Sequence, residues 1–186
     1  MANFDSNAQN QAVASSLNGP FPSTTSEAID LCVDTYLNNN YIDAFSNPEE
    51  ITDDIMSLMA NEFQLHNETV PAVLKKRPPS NLSPNMIAKI MLHMYCIRNI
   101  NCAGVNSEDE YDLLGFYQED GPDKGIYVSR EDELKRMILA FNPGLTPAKL
   151  KETLEILRIE APRVERCCDR DLIAINNGIF NYKTKI

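Results

Sequence analysis

The stretch SPNMIAKIMLHMYCIR, residues 83–98, carries the strongest helical pattern in the chain. Ser83 can cap the first turn, and Pro84 sits where its missing N–H costs nothing. Met86, Ile87, Ile90, Met91, Met94 and Ile97 then recur at helical spacing. The reading predicts one helix from residue 83 to about residue 98. Lys89 and His93 interrupt its apolar run, so it does not read as a membrane span.

Upstream, residues 48–65 predict a second helix. Asn47 caps it, Pro48 opens it, and Glu50 completes the capping spacing. Ile51, Ile55, Leu58, Met59 and Phe63 form its stripe. Five of the seven methionines (Met56, Met59, Met86, Met91, Met94) fall on these two helices, where they read as adaptable core packing. Before them, Thr24 and Glu27 have capping-box spacing, and residues 25–37 bury Ile29, Val33, Tyr36 and Leu37 until Asn38-Asn39-Asn40 stops the helix. Residues 1–23, rich in Asn, Gln, Ser and Ala, read as a disordered tail or linker. A short apolar piece, residues 70–74, runs into Lys75-Lys76-Arg77-Pro78-Pro79, where the two prolines forbid helix.

Downstream, Glu108-Asp109-Glu110 opens an acidic loop. Residues 113–128 predict a hairpin, with Phe116-Tyr117 and Ile126-Tyr127-Val128 as arms about a turn rich in Gly, Asp and Pro. A fourth helix over residues 130–141, capped by Ser129, is broken by Asn142-Pro143-Gly144. Thr146-Pro147 starts a fifth, to about residue 157, with Leu150, Leu154 and Leu157 on one face. A last hairpin spans residues 172–183. With Asn177-Gly178 at its tip, Ile175 faces Phe180 and Ile173 faces Tyr182. A tip at Asn176-Asn177, with Gly178 in a bulge, is the alternative and gives a poorer pattern. The fold class expected is α+β and mainly α: a helical domain over 24–186 with two β-hairpins. It allows a subdivision into 24–107 and 108–186, and the second part has a winged-helix outline.

The chain has 186 residues and a formal net charge of −10, so phosphate contact needs a local basic patch. Its five cysteines are odd in number and irregular in spacing, and no secretory segment opens the chain. Free thiols, no membrane partner and a cytoplasmic location are expected. His93, Cys96, Cys102 and the Cys167-Cys168 pair lack the paired clusters a zinc site needs. Only His66 and His93 could serve a nucleophile, and no G-x-S-x-G elbow or glycine-rich phosphate loop occurs. The acidic pairs and triplets, Glu108 to Asp112 among them, read as solvated charge or helix starts. No catalytic, cofactor or metal residue is therefore assigned.

Nucleic acid is the binding idea with support. Between Thr69 and Ser107 lie Lys75, Lys76, Arg77, Lys89 and Arg98, and no acid. The helix–turn–helix over residues 130–157 brings Lys149 and Lys151, with Arg158, Arg163 and Arg166 just after. Glu152 and Glu155 interrupt that face. The candidate contact set is Lys75, Lys76, Arg77, Lys149, Lys151, Arg158, Arg163 and Arg166.

A resemblance adds to this. Leu114-Gly115-Phe116-Tyr117, then Gly125-Ile126-Tyr127, then LKETLEIL at residues 150–157, Glu160-Ala161-Pro162 and LIAINNGIFNYKT at residues 172–184 follow one another in an order that resembles phage and plasmid primase–helicases and their poxvirus-type relatives. The resemblance covers about residues 83–186 and leaves 1–82 unmatched. It implies a non-catalytic domain just before a superfamily 3 helicase motor, with "NNGIFNYKTK" as the link into it. It further implies a bacterial host cell, a hexameric assembly, the motor as neighbour, and DNA met through the parent protein. ATP and magnesium would belong to that motor, whose Walker motifs would lie beyond Ile186, so the chain is expected to be a truncated piece. A DNA-binding regulator with a winged-helix-like half is the competing expectation.

Overall fold

The structure, a computed structural model, describes residues 16–17, 19–101, 112–165, 172–175, 178–181 and 183–184. Stretch 83–98 divides in two. Helix α3 spans Pro84–Met94, with Ser83 Oγ accepting from the Met86 N–H. It ends earlier than its apolar pattern suggests. Tyr95 turns extended, its N–H still bonded to the Met91 carbonyl, and the chain enters strand β1, Ile97–Asn101. Ile97 is fully buried, but as a strand residue paired with Phe116.

Five helices surround this point. Helix α1, Thr25–Asn39, starts on the Thr24–Glu27 capping box, and α2, Pro48–Thr69, starts on Asn47. Helix α2 runs four residues past its expected end. Its last turn is held by bonds from Thr69 Oγ1 to the His66 carbonyl and from the Gln64 amide to Glu68. Helix α4, Glu131–Phe141, is preceded by Arg130 in extended conformation, and neither Ser129 nor Arg130 caps it through a side chain. Glu131, Asp132 and Glu133 instead meet the positive end of the helix dipole. Helix α5, Pro147–Glu160, is capped by Thr146. Helix α3 packs on α1, α4 and α5, while α2 packs on α1 and α4. Seven residues of α3 are buried, so it is the axis of the core.

The predicted first hairpin is present as β2, Leu113–Tyr117, and β3, Tyr127–Val128, with Phe116 opposite Val128. Gly121 and Gly125 take positive φ in its connection. Two strands were not expected. β1 pairs antiparallel with β2, and β4, Arg163–Glu165, pairs parallel with β1, which gives the order β3-β2-β1-β4. The architecture is α+β and mainly α, as expected.

The closing hairpin forms a sheet of its own from β5, Leu172–Ile175, and β6, Gly178–Asn181. Its register corrects the preferred tip. Ile175 pairs with Gly178 and Ile173 with Phe180, so the residues between the strands are Asn176 and Asn177. The shift is two residues. A two-residue shift leaves every residue on its original face, so alternation cannot distinguish the registers. The expected disordered tail, residues 1–23, is corrected at its end: Leu17 is buried in the core and Phe21 stacks on His66. Residues 1–15 and the acidic triplet 108–110 lie outside the described residues.

Candidate nucleic-acid interface

The candidate basic residues arise on three elements, and the fold treats them differently. Lys76 follows a single 3-10 turn, Ala72–Leu74, at the end of α2. Its backbone is clamped by Asn67, which donates to the Lys76 carbonyl at 2.7 Å and accepts from its N–H at 2.8 Å. Its ammonium donates to the carbonyls of Pro22 and Ser23 at 2.7 and 2.6 Å and lies 5.3 Å from the centre of the Phe21 ring. Lys76 therefore holds the segment before α1 in place. Lys75 and Arg77, on either side, are exposed. Lys89 pairs with Asp34 at 2.7 Å, and Arg98 donates to the Ile97 carbonyl at 2.7 Å.

The predicted helix–turn–helix exists as α4, a turn and α5. Asn142 pins the turn, donating to the Leu82 carbonyl at 3.1 Å and accepting from the Gly144 N–H at 3.1 Å. Thr153, Leu154 and Leu157 bury one side of α5. At about 100° per residue, the opposite side is the line Ala148, Glu152, Glu155 and Ile159. All four are exposed, and Ile159 keeps 81% of its surface. Lys149 and Lys151 flank this line on opposite edges, about 160° apart. The outward face of the would-be reading helix is thus acidic and apolar at its centre, which repels phosphate.

The arginines beyond are engaged. Arg158 bonds Glu155 at 2.7 Å and reaches Glu131 at 3.5 Å. Glu131 is held below the usual carboxylate range, first by its hydrogen bond to Lys135 and then by the charges of Lys135 and Arg158. Arg163 grips Asp112 with Nε at 2.6 Å and Nη2 at 3.1 Å, and that carboxylate is only 5% exposed. Arg163 thereby neutralises a buried charge. Arg166 lies outside the described residues. The Glu155–Arg158 pair was visible in the i,i+3 spacing. The partners Asp34, Asp112 and Glu131 were not, because tertiary packing alone brings them near.

The other candidate chemistry is dispersed. His93 is exposed on α3, and Cys96 lies beyond the end of that helix with its Sγ 2.9 Å from the Tyr127 hydroxyl. Burial and that contact raise the Tyr127 pKa. Cys102, Cys167 and Cys168 lie outside the described residues. Cys32 is free and fully buried. Burial, and then the Glu62 charge, push its thiol up to about 11, so it stays protonated at neutral pH. His66 stacks on Phe21 with ring centres 4.2 Å apart, and Phe63 meets Phe21 edge-on at 5.2 Å. The His66 Nε2 is buried with no hydrogen-bond partner among the described residues, which suits packing better than proton transfer. Among the described residues, no group of three His, Cys, Asp or Glu side chains could hold a metal. No helix among them is long and apolar enough to cross a membrane.

Neither a protein-family model nor a characterised protein matches the sequence.

Proposed function

We propose that this chain is the helical, non-catalytic module of a phage or mobile-element replication protein of the primase–helicase kind, and that it works by contact between protein surfaces. The family half of this reading rests on the ordered resemblance over residues 83–186. The contact half rests on one observation: the would-be reading helix turns acids outward, and three of the seven described basic candidates are already engaged within the fold. Lys76 and Arg163 bind groups of the fold, Arg158 is paired with Glu155 and Glu131 on the surface, and the outward face of α5 centres on Glu152 and Glu155. On this reading the neighbour is a helicase motor, which supplies ATP and magnesium chemistry, the assembly is oligomeric, and the setting is a bacterial host cell.

The competing regulator reading keeps Lys75, Arg77, Lys149 and Lys151 as contacts. Titration of single-stranded and duplex DNA at two salt concentrations separates the two. The assembly reading expects no appreciable affinity at physiological salt. Duplex affinity that falls steeply with salt would favour the regulator. Sequencing the source gene past the Ile186 codon tests the family half. A P-loop segment downstream supports it, and a stop codon there removes its main support.

A further inference from the structure

Helix α2 has a different surface at each end. At its C-terminal end, the 3-10 turn presents Val73 and Leu74 to solvent, 90% and 59% exposed. Large apolar side chains standing this far out invite an explanation. The turn is stiff. Pro71 precedes it, its carbonyl accepts from the Leu74 N–H at 2.9 Å, and the Asn67 clamp fixes Lys76 just beyond it. Lys75 and Arg77 follow the apolar pair, are exposed, and make no ion pair among the described residues. The result is a rigid knob, apolar at its tip and basic at its base.

At the N-terminal end of α2 lies a groove of about 450 Å³, bounded by the start of α2, residues 80–82 and the end of α4. Glu49 and Asp53 stand exposed on its rim, and Met56, Ala140 and Pro143 give it an apolar wall. Knob and groove are therefore opposite in charge, and each offers apolar side chains for contact.

We propose that this groove receives the Val73-Leu74 knob of a second copy of the chain. A copy cannot fill its own groove. Asn67 anchors the knob at one end of α2, and Asp53 stands roughly 20 Å away along the helix at 1.5 Å per residue. The contact joins unlike surfaces, so copies associate head to tail and form rings or open chains rather than two-fold dimers. A preformed knob loses little conformational freedom on docking. The proposal rests on the assembly reading above and gives that reading a specific contact.

Sedimentation velocity of the full chain, from low to high micromolar concentration, tests it. The wild type should associate with concentration, and more weakly at high salt. V73D/L74D and E49K/D53K should each weaken association by roughly tenfold or more. All four positions are exposed, so circular dichroism should show both variants folded. Mixing the two restores one knob and one groove, and the mixture should stop at a one-to-one dimer. A folded wild type that stays monomeric throughout overturns the proposal, as does a mixture that forms no dimer. Failure of the assembly reading shows elsewhere, as salt-sensitive duplex binding by the same protein.

Discussion

The Lys76 ammonium donates to two backbone carbonyls before α1, and the segment it holds carries Leu17 into the core and Phe21 onto His66. The same segment ends in a 2.6 Å bond from the Ser16 N–H to the buried carboxylate of Glu62. Lys76→Met should loosen it, at about 1–2 kcal/mol in urea unfolding, since charged hydrogen bonds exceed neutral ones. Lys75→Met, one position away and exposed, should stay within about 0.5 kcal/mol. Equal effects at the two positions would sink the idea of a latch. Tyr36 offers a pH-dependent test. Burial first, and then its 3.0 Å bond to Asp54, raise its pKa to about 12 from 10.0. The folded value lies above the unfolded one, so its stabilisation is complete below the unfolded pKa and is lost as pH rises through the folded one. Cys32, raised to about 11 from 9.0, acts in the same direction. Urea midpoints should therefore fall as pH climbs from about 9 towards 12. Tyr36→Phe should fall less steeply, and an unchanged slope would rule out its part.

At the scale of elements, α5 shows how burial and position decide cost. Leu157 is fully buried and Ile159 is 81% exposed, two residues apart on one helix. Leu157→Ala should cost about 2–5 kcal/mol, and Ile159→Ala less than about 0.5. Chemical denaturation of the two variants checks this directly, and similar midpoints would mean α5 is placed differently. The helices were legible because caps and a 3.6-residue stripe are local signals. Thr24 with Glu27, Asn47 with Pro48, and Thr146 with Pro147 all start helices where expected. The end of α3 was not legible, because Ile97 suits a helical stripe and a buried strand equally well. Strand β4 was missed because three residues in parallel pairing leave no local pattern. The arginine partners were hidden for the same reason: Arg163 meets Asp112 across 51 positions of sequence.

At the scale of the molecule, β1 belongs to the part before residue 107, yet both its neighbours, β2 and β4, come from the part after it. Helix α3 likewise packs on α4 and α5. The two parts share one core, so the intact chain should unfold in a single transition, with coincident curves from circular dichroism and tyrosine emission. A fragment of residues 24–107 should show no cooperative transition, because β1 and α3 would expose their buried faces. Two resolved transitions in the intact chain would contradict this. By itself, the sequence determined the helices, the β2–β3 hairpin and the mainly α class, since each is written in spacing that neighbours along the chain can satisfy. Only the tertiary structure decided where α3 gives way to β1 and which cations remain exposed. Those outcomes depend on partners distant in sequence, and a residue such as Ile97 or Arg163 carries no local mark of the partner it will meet.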